Sequence, residues 1–404
     1  MWTDEQERAI AAVRKWLHNP NDKLIFRLFG PAGTGKTTLA KALVGEVEGS
    51  VISCAYTGKA SSVLRRKGWP NATTIHSLIY SAKDKSRLKL KELESELIEL
   101  LKGSDPNKDK KADKLREAIR EERKAVARPS FQLNEQSTVS DAALVVVDEA
   151  SMIGQREGED LCSFGVPILA LGDPYQLPPV MDTGYFTNDK RPDFLLTQVH
   201  RQATESAILR LATDIREGKG ITAGDYGDAR VVDAGDLKRE DYMAADQIIC
   251  GTNKTRRILN KRFRLTLGHP AGHPVVGDKL VCRRNDHDMG LLNGTIWYIT
   301  HVDSLGPDQS IIRIVPEEDR NARPLMVTTH MHWMQDREDE LGPWERKQAQ
   351  EFAYGYAITG HMSQGSQWDN VLVMDESWAF RQDRSKWLYT AVTRAAERLT
   401  IART

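Results

Sequence analysis

Gly30-Pro31-Ala32-Gly33-Thr34-Gly35-Lys36-Thr37 sets a lysine and a hydroxyl directly behind a glycine-rich turn. Glycine lets such a turn curl so that its backbone N–H groups point inward at phosphate oxygens. At this spacing Lys36 reaches the β- and γ-phosphates of a nucleoside triphosphate, and the Thr37 hydroxyl is placed to hold Mg²⁺. Farther along, Asp148-Glu149 ends the apolar run Ala143-Leu144-Val145-Val146-Val147 with two carboxylates, which are costly there unless something uses them. Asp148 fits a Mg²⁺ holder acting through water, and Glu149 fits the base that orients and deprotonates an attacking water. Gln176, in Gly172-Asp173-Pro174-Tyr175-Gln176, is of the type that senses a γ-phosphate and passes its presence to a neighbouring loop. The chemistry these residues point to is hydrolysis of a nucleoside triphosphate with Mg²⁺.

Such residues need strand ends and a helix start to hold them. Leu24 to Phe29 reads as a buried strand and Thr38 to Val44 as a helix, so Gly30, Pro31, Ala32, Gly33, Thr34, Gly35, Lys36, Thr37 and Thr38 bridge strand and helix, with the helix N-terminus adding its partial positive charge. The opening helix, Thr3 to Leu17, carries Gln6, whose amide can donate to and accept from an adenine edge. A second strand, Val51 to Ala55, leads into Tyr56-Thr57-Gly58-Lys59-Ala60-Ser61 at the carboxyl end, where open α/β sheets bind ligands. Hydroxyls and Lys59 there can take the phosphates of a nucleic-acid strand. His76, in Thr74-Ile75-His76, reads first as a satisfied structural histidine.

The chain has 404 residues, enough for two to three domains, with 57 basic and 57 acidic residues. Zero net charge argues mildly against a protein that coats DNA and leaves room for one that grips a strand in a local groove. The clustered Lys254, Arg256, Arg257, Lys261, Arg262 and Arg264 fit either a solvated helix face or such a groove. No apolar run approaches a membrane span, the start Met1-Trp2-Thr3-Asp4 is not a signal peptide, and Cys54, Cys162, Cys250 and Cys282 lack paired spacing. The expected setting is a reducing cytoplasm, without membrane, disulfide frame or zinc.

Two stretches interrupt the α/β pattern. Between Ser81 and Gln136, Leu90, Leu93, Leu97, Leu100 and Leu101 recur at helical spacing, Gly103-Ser104-Asp105-Pro106 breaks it, and Leu115, Ile119 and Val126 resume it, which predicts a helical hairpin. From about Phe263 the texture is β-rich, with Asn293-Gly294 as a hairpin turn, and the α/β pattern is expected back at Phe352-Ala353-Tyr354.

The order of these segments carries a resemblance. Gln6, Gly30 to Thr37, Thr57-Gly58-Lys59-Ala60, Thr74-Ile75-His76, Asp148-Glu149-Ala150-Ser151, Gly172-Asp173 with Gln176-Leu177-Pro178-Pro179-Val180, His200-Arg201-Gln202, His361 with Ser363-Gln364-Gly365, and Tyr389-Thr390-Ala391-Val392-Thr393-Arg394 together resemble the motif set of superfamily 1 helicases. The likeness is to the RecD/Dda-type branch and its short phage members. It departs from the family pattern at Tyr56, where proline is common, and at Met362, where lysine is common.

The resemblance implies an α/β fold of two RecA-like P-loop NTPase domains, with ATP between them, a helical insertion in the first and a small SH3-like β-barrel insertion in the second. It divides the chain as 1–80 and 137–196 for the first RecA-like domain and 81–136 for the arm; 197–262 and 352–404 form the second domain and 263–351 the β-rich insertion. It makes Arg201 and Arg394 arginine fingers, adds Gly365 to the nucleotide site, and lines a channel for single-stranded DNA with Thr57, Lys59, His76, Asn253, His361 and Ser363. The implied activity is an ATP-dependent DNA helicase moving 5′ to 3′ on single-stranded DNA and unwinding duplex junctions, as a monomer. A replication or single-strand-binding protein is an open candidate partner. An RNA or RNA–DNA helicase, and an ATP-gated loader that hardly unwinds, stay open beside it.

Overall fold

The computed structural model describes residues 2–19, 23–82, 88–102, 111–119, 131–179, 182–187, 191–198, 206–270, 272–286, 289–342 and 345–404. Apolar runs ending in small or polar residues form the first sheet: β1 (Ile25–Phe29), β2 (Val51–Ala55) and β3 (Thr73–Thr74). A two-stranded antiparallel ribbon, β4 (Tyr80–Ala82) with β5 (Phe131–Leu133), pairs Ala82 with Phe131 at the base of the expected arm. Within the arm, helices cover Leu88–Lys102 and 111–119; the Gly103–Pro106 break and Val126 lie outside the described residues. The sheet resumes with β6 (Leu144–Asp148), β7 (Ile168–Gly172) and β8 (Phe194–Leu195), in the parallel order β3-β2-β6-β7-β1-β8.

Both faces of this sheet are covered, as expected of near-continuous apolar strands. The helices Asp4–His18 and Lys36–Val44 pack Ala9, Val13, Leu39 and Leu43 on one face. Ile75, Ile79, Ile153 and Phe186 fill the other. Each fully buried valine, leucine, isoleucine or phenylalanine among them contributes about 1.5–3 kcal/mol of hydrophobic stabilisation.

A second sheet is built from β9 (Gly224–Asp225), β10 (Ala229–Asp233) and β11 (Gln247–Cys250). The antiparallel insertion follows: β12 (Lys279–Cys282), β13 (Ile296–Leu305), β14 (Gln309–Pro316), β15 (Leu325–His330) and β16 (Phe352–Tyr354), in the order β15-β14-β13-β12-β16. The second sheet is completed by β17 (Ala357–Thr359), β18 (Trp368–Asp375) and β19 (Ala395–Arg403), in the order β17-β11-β18-β19-β10-β9, parallel except for β9.

Two expectations are corrected here. Phe352-Ala353-Tyr354 pairs antiparallel with Leu280–Cys282, so it closes the insertion and the α/β pattern returns only at Ala357. Asn293-Gly294 does not join adjacent ladder positions; it ends a longer loop that carries its own bridge between Asp286 and Leu291. The insertion sits on the second sheet through Val281, Ile296 and Ala353, which share a core with Val231, Ile249 and Val373.

The basic run forms the helix Asn253–Thr266. Arg256 and Arg264 are buried against Asp336 and Asp278, while Lys254, Arg257, Lys261 and Arg262 are exposed. The run therefore divides between structural ion pairs and a solvated face.

The cysteines offer a direct check of the packing. Cys54, Cys250 and Cys282 are buried, and burial pushes each thiol up to about 12, so almost no thiolate forms near neutrality. A thiol reagent at pH 8 is expected to modify the half-buried Cys162 first and the other three only after denaturant is added. Rapid labelling of all four in the native chain would contradict this core.

Candidate functional site

Strand order does most of the assembly. Because β6, β7 and β1 are neighbours, their carboxyl ends deliver Asp148-Glu149, Gly172-Asp173 and the glycine-rich loop side by side. Gly30 N–H donates to Gly172 O at 3.1 Å, which closes the loop onto β7. Gly35, with φ 81°, caps the helix Lys36–Val44 from the left-handed region, where a side chain would be strained.

Lys36 Nζ donates to the carbonyls of Gly30 at 2.6 Å and Pro31 at 3.0 Å. Thr37 Oγ1 donates to Asp148 Oδ2 at 3.2 Å, and Glu149 N–H donates to Asp148 Oδ1 at 3.0 Å. Burial, and then the charge of Glu149, push the Asp148 carboxyl upward, while the Glu149 backbone bond and Lys36 oppose the shift. A cation beside Thr37 and Asp148 would relieve that penalty. Glu149 adopts φ 52°, a left-handed backbone that costs a non-glycine residue on the order of 1–3 kcal/mol, and lines the cavity just past the end of β6.

These groups line one cavity of about 380 Å³, together with residues of the second sheet's half. Ala32, Gly33, Gly35, Lys36, Thr37, Thr38, Asp148, Glu149 and Gln176 form one wall, and Gly365, Ser366, Gln367, Thr393 and Arg394 form the other. Gln176 is buried, and its Oε1 has no hydrogen-bond partner among the described residues. Such an orphaned acceptor in a cavity wall fits a site built to receive a ligand or water. Arg394 is 5% exposed, with Nε donating to Thr390 O at 3.0 Å, Nη1 to Ser366 O at 3.2 Å and Nη2 to Thr393 Oγ1 at 3.1 Å. Gly365, at φ 73°, approaches so closely that a Cβ there would stand 2.8 Å from Ala60 Cβ.

A second cavity, of about 360 Å³, opens between the first sheet's half and the insertion. Thr57, Lys59, His361, Tyr56 and Met362 line it, with Asn293 and Gly294 from the insertion and the carboxylates of Glu157 and Asp182. His76 borders it, edge-on to Tyr56 with 6.4 Å between rings and its Nε2 3.4 Å from Glu157. Burial pushes the His361 imidazole below its usual range.

The structure thus places most of the expected nucleotide residues on one cavity, while several other expectations change. Gln6 is 2% exposed and does not line the cavity; its Nε2 donates to Thr34 O at 3.1 Å and its Oε1 accepts from Thr3 N–H. Thr3 and Gln6 form a capping box, a signal readable in Thr-x-x-Gln, so in this arrangement Gln6 braces the loop. Lys59 is buried and paired with Glu318, because a buried ammonium is costly without a carboxylate. Ser363 is fully buried, donates to Gly360 O at 2.7 Å and lines neither cavity. Thr57 caps the helix Gly58–Arg66 by accepting from Ala60 N–H. Asn253 is exposed at the start of its helix and accepts from Arg256 Nε. His200, Arg201 and Gln202 lie outside the described residues. Asp173, given no role from its type, lines the nucleotide cavity and accepts from the buried Tyr389 hydroxyl, which comes from the other half, at 2.7 Å.

Residues 2–236 match the AAA domain family, and residues 354–402 match the UvrD-like helicase C-terminal domain. The ATP-dependent RecD2 DNA helicase of Deinococcus radiodurans is 25% identical over 400 residues, covering 92% of this chain and 46% of the relative. The ATP-dependent DNA helicase dda of Enterobacteria phage T4 is 25% identical over 313 residues, covering 69% and 60%. The chain therefore spans about half the length of the curated relatives it matches. A solved structure of a Pif1 helicase from Bacteroides, in complex with ADP-AlF3 and ssDNA, superposes with a TM-score of 0.52 at 17% identity, covering 99% of this chain and 92% of that one. At that identity the likeness is one of fold, the mixed α/β architecture of RecA-like helicase domains.

Proposed function

Since the chain belongs to the AAA domain family, we propose that it is an ATP-dependent DNA helicase of the superfamily 1 RecD/Dda type. The observation that carries this reading is the shared cavity: a phosphate loop with its acidic pair on one wall and a buried arginine from the other half on the opposite wall. Lys36 takes the β- and γ-phosphates of ATP, and Gly365 and the loop amides close around them. Thr37 and Asp148 would hold Mg²⁺, which supplies charge neutralisation on the phosphates when bound. Glu149 orients and deprotonates the attacking water, and the orphaned Gln176 Oε1 reads the γ-phosphate.

Arg394 neutralises charge that develops on the transferred phosphoryl, and it can do so only when the two halves meet. Arg201 is assigned the same role from its motif. Hydrolysis and domain closure are therefore one event, and a strand held in the second cavity moves with each cycle. Thr57, His76, His361 and Lys59 hold that strand by its phosphates, Lys59 once it leaves Glu318. Asn253 and Ser363 keep the same assignment from their motifs, although neither lines that cavity. The helical arm and the β-rich insertion, read as SH3-like, complete a monomer acting 5′ to 3′ on single-stranded DNA and at duplex junctions in the cytoplasm.

Strand displacement with ATP and Mg²⁺ tests the reading on two duplexes, one with a 5′ single-stranded tail and one with a 3′ tail, with Lys36→Ala as the blank. Unwinding is expected from the 5′ tail alone. Unwinding from the 3′ tail would reverse the direction, and DNA-stimulated hydrolysis without displacement would point to a loader.

A further inference from the structure

The loop that carries Gln176 is tied to the opposite half of the molecule on both sides of that residue. Leu177 N–H donates to Thr390 Oγ1 at 2.9 Å, and Leu177 O accepts from Gln364 Nε2 at 3.0 Å. On the other side, the Tyr389 hydroxyl donates to Asp173 Oδ2 at 2.7 Å. The same hydroxyl oxygen accepts from the N–H of Ala32, in the phosphate loop, at 3.1 Å. Tyr389 is 2% exposed and Asp173 1%, so their bond lies out of water, while Ala32 is half-buried in the cavity wall.

A phenol has one proton to give. Burial, with Asp173 beside it, pushes Tyr389 far above its ordinary range, so the proton stays on the oxygen and points at the carboxylate. The lone pairs are then left for Ala32 N–H. Burial pushes the Asp173 carboxyl upward, and Lys36 and the Tyr389 hydroxyl, which favour the charged form, offset that only in part. Ala32 directly follows Gly30 and Pro31, whose carbonyls receive the Lys36 ammonium, so Tyr389 reaches the end of the loop where Lys36 acts. Tyr389 lies in the helix Arg384–Val392, and the next residue, Thr390, gives its carbonyl to Arg394 Nε. One short stretch thus touches the phosphate loop, the Gln176 loop and the arginine.

We propose that Tyr389 is a positioning residue of the nucleotide cleft: its hydroxyl is a tether, bonded to Asp173 and to the Ala32 amide, that sets Arg394 and Gln176 against the γ-phosphate end when the halves close. The tether rests on the reading of this cleft as the site of ATP hydrolysis. It also responds to nucleotide. The Ala32 amide has a single proton, so a phosphate oxygen arriving there competes with the phenol, and the loading of the loop is felt directly in the helix that leads to Arg394.

Tyr389→Phe removes both bonds and keeps the ring that packs edge-on to Tyr175, 6.3 Å between centroids. Steady-state ATP hydrolysis by the full chain, with and without an oligothymidine strand, is expected to show the DNA-stimulated kcat falling about tenfold with KM for ATP nearly unchanged. Asp173→Asn on its own should lower kcat, and the double variant should be little worse than Tyr389→Phe, because the two changes break one shared bond. Tyr175→Phe, which removes a hydroxyl from the neighbouring ring, should behave as the parent. Thermal melting of each variant reads folding separately.

An active parent with Tyr389→Phe at the parental kcat would overturn the tether alone. A rise in KM at constant kcat would also overturn it, since that marks ordinary binding. So would additive losses in the double variant. A parent without any ATP hydrolysis would overturn the reading of the cleft and the tether with it.

Discussion

Glu149→Gln should bind ATP as the parent does and lose turnover, with kcat falling on the order of 10²–10⁴-fold, the usual contribution of a general base. The substitution keeps the length and shape of the side chain and the left-handed backbone at φ 52°, so it changes the proton acceptor and little else. It also removes one negative charge beside Asp148, whose carboxyl Glu149 helps to push upward, so nucleotide with Mg²⁺ should bind no more weakly. The check pairs steady-state hydrolysis with the affinity for a fluorescent ATP analogue. A variant that hydrolyses ATP at nearly the parental rate would remove Glu149 from its role.

Arg394→Ala is expected to lower kcat by on the order of 10³-fold or more, the range found for arginine fingers, while affinity for single-stranded DNA without nucleotide changes little. The residue has a structural side as well. Its guanidinium donates to Thr390 O, Ser366 O and Thr393 Oγ1; the two threonine groups keep other bonds through Thr393 Oγ1, so truncation chiefly unpairs Ser366 O, at a cost of about 1–3 kcal/mol. Arg394→Lys keeps the charge but not the fork, so it should regain melting temperature before it regains rate. DNA binding lost ahead of hydrolysis would instead put Arg394 in the strand channel.

Legibility from sequence followed how locally each feature is specified. The phosphate loop, Thr37 and Asp148-Glu149 were readable because a strand, a tight turn and a helix start dictate one another over a few residues, and the strand order then brought Asp148 to Thr37. Partners that meet across the fold left no such trace. Lys59 is an exposed-looking cation in sequence, and its buried pairing with Glu318 depends on how the insertion docks on the first sheet's half. Phe352–Tyr354 has the same apolar texture whether it pairs parallel in the second sheet or antiparallel in the insertion, and only the register with Leu280–Cys282 decides. The capping box of Thr3 and Gln6 is local and written in Thr-x-x-Gln, whereas the Gln6 bond to Thr34 O arises only where the opening helix meets the phosphate loop.

The ribbon at the base of the arm has a consequence of a different kind. Ala82 and Phe131 face each other in an antiparallel pair, so the chain leaves the first sheet's half and re-enters it at a single doorway. Whatever is spliced between those two residues imposes no extra reach on the body, because the ends are already joined by hydrogen bonds, and lengthening a closed loop adds its cost only logarithmically. The arm is therefore a cassette, open to exchange for shorter or longer versions while the cleft beside it keeps its geometry.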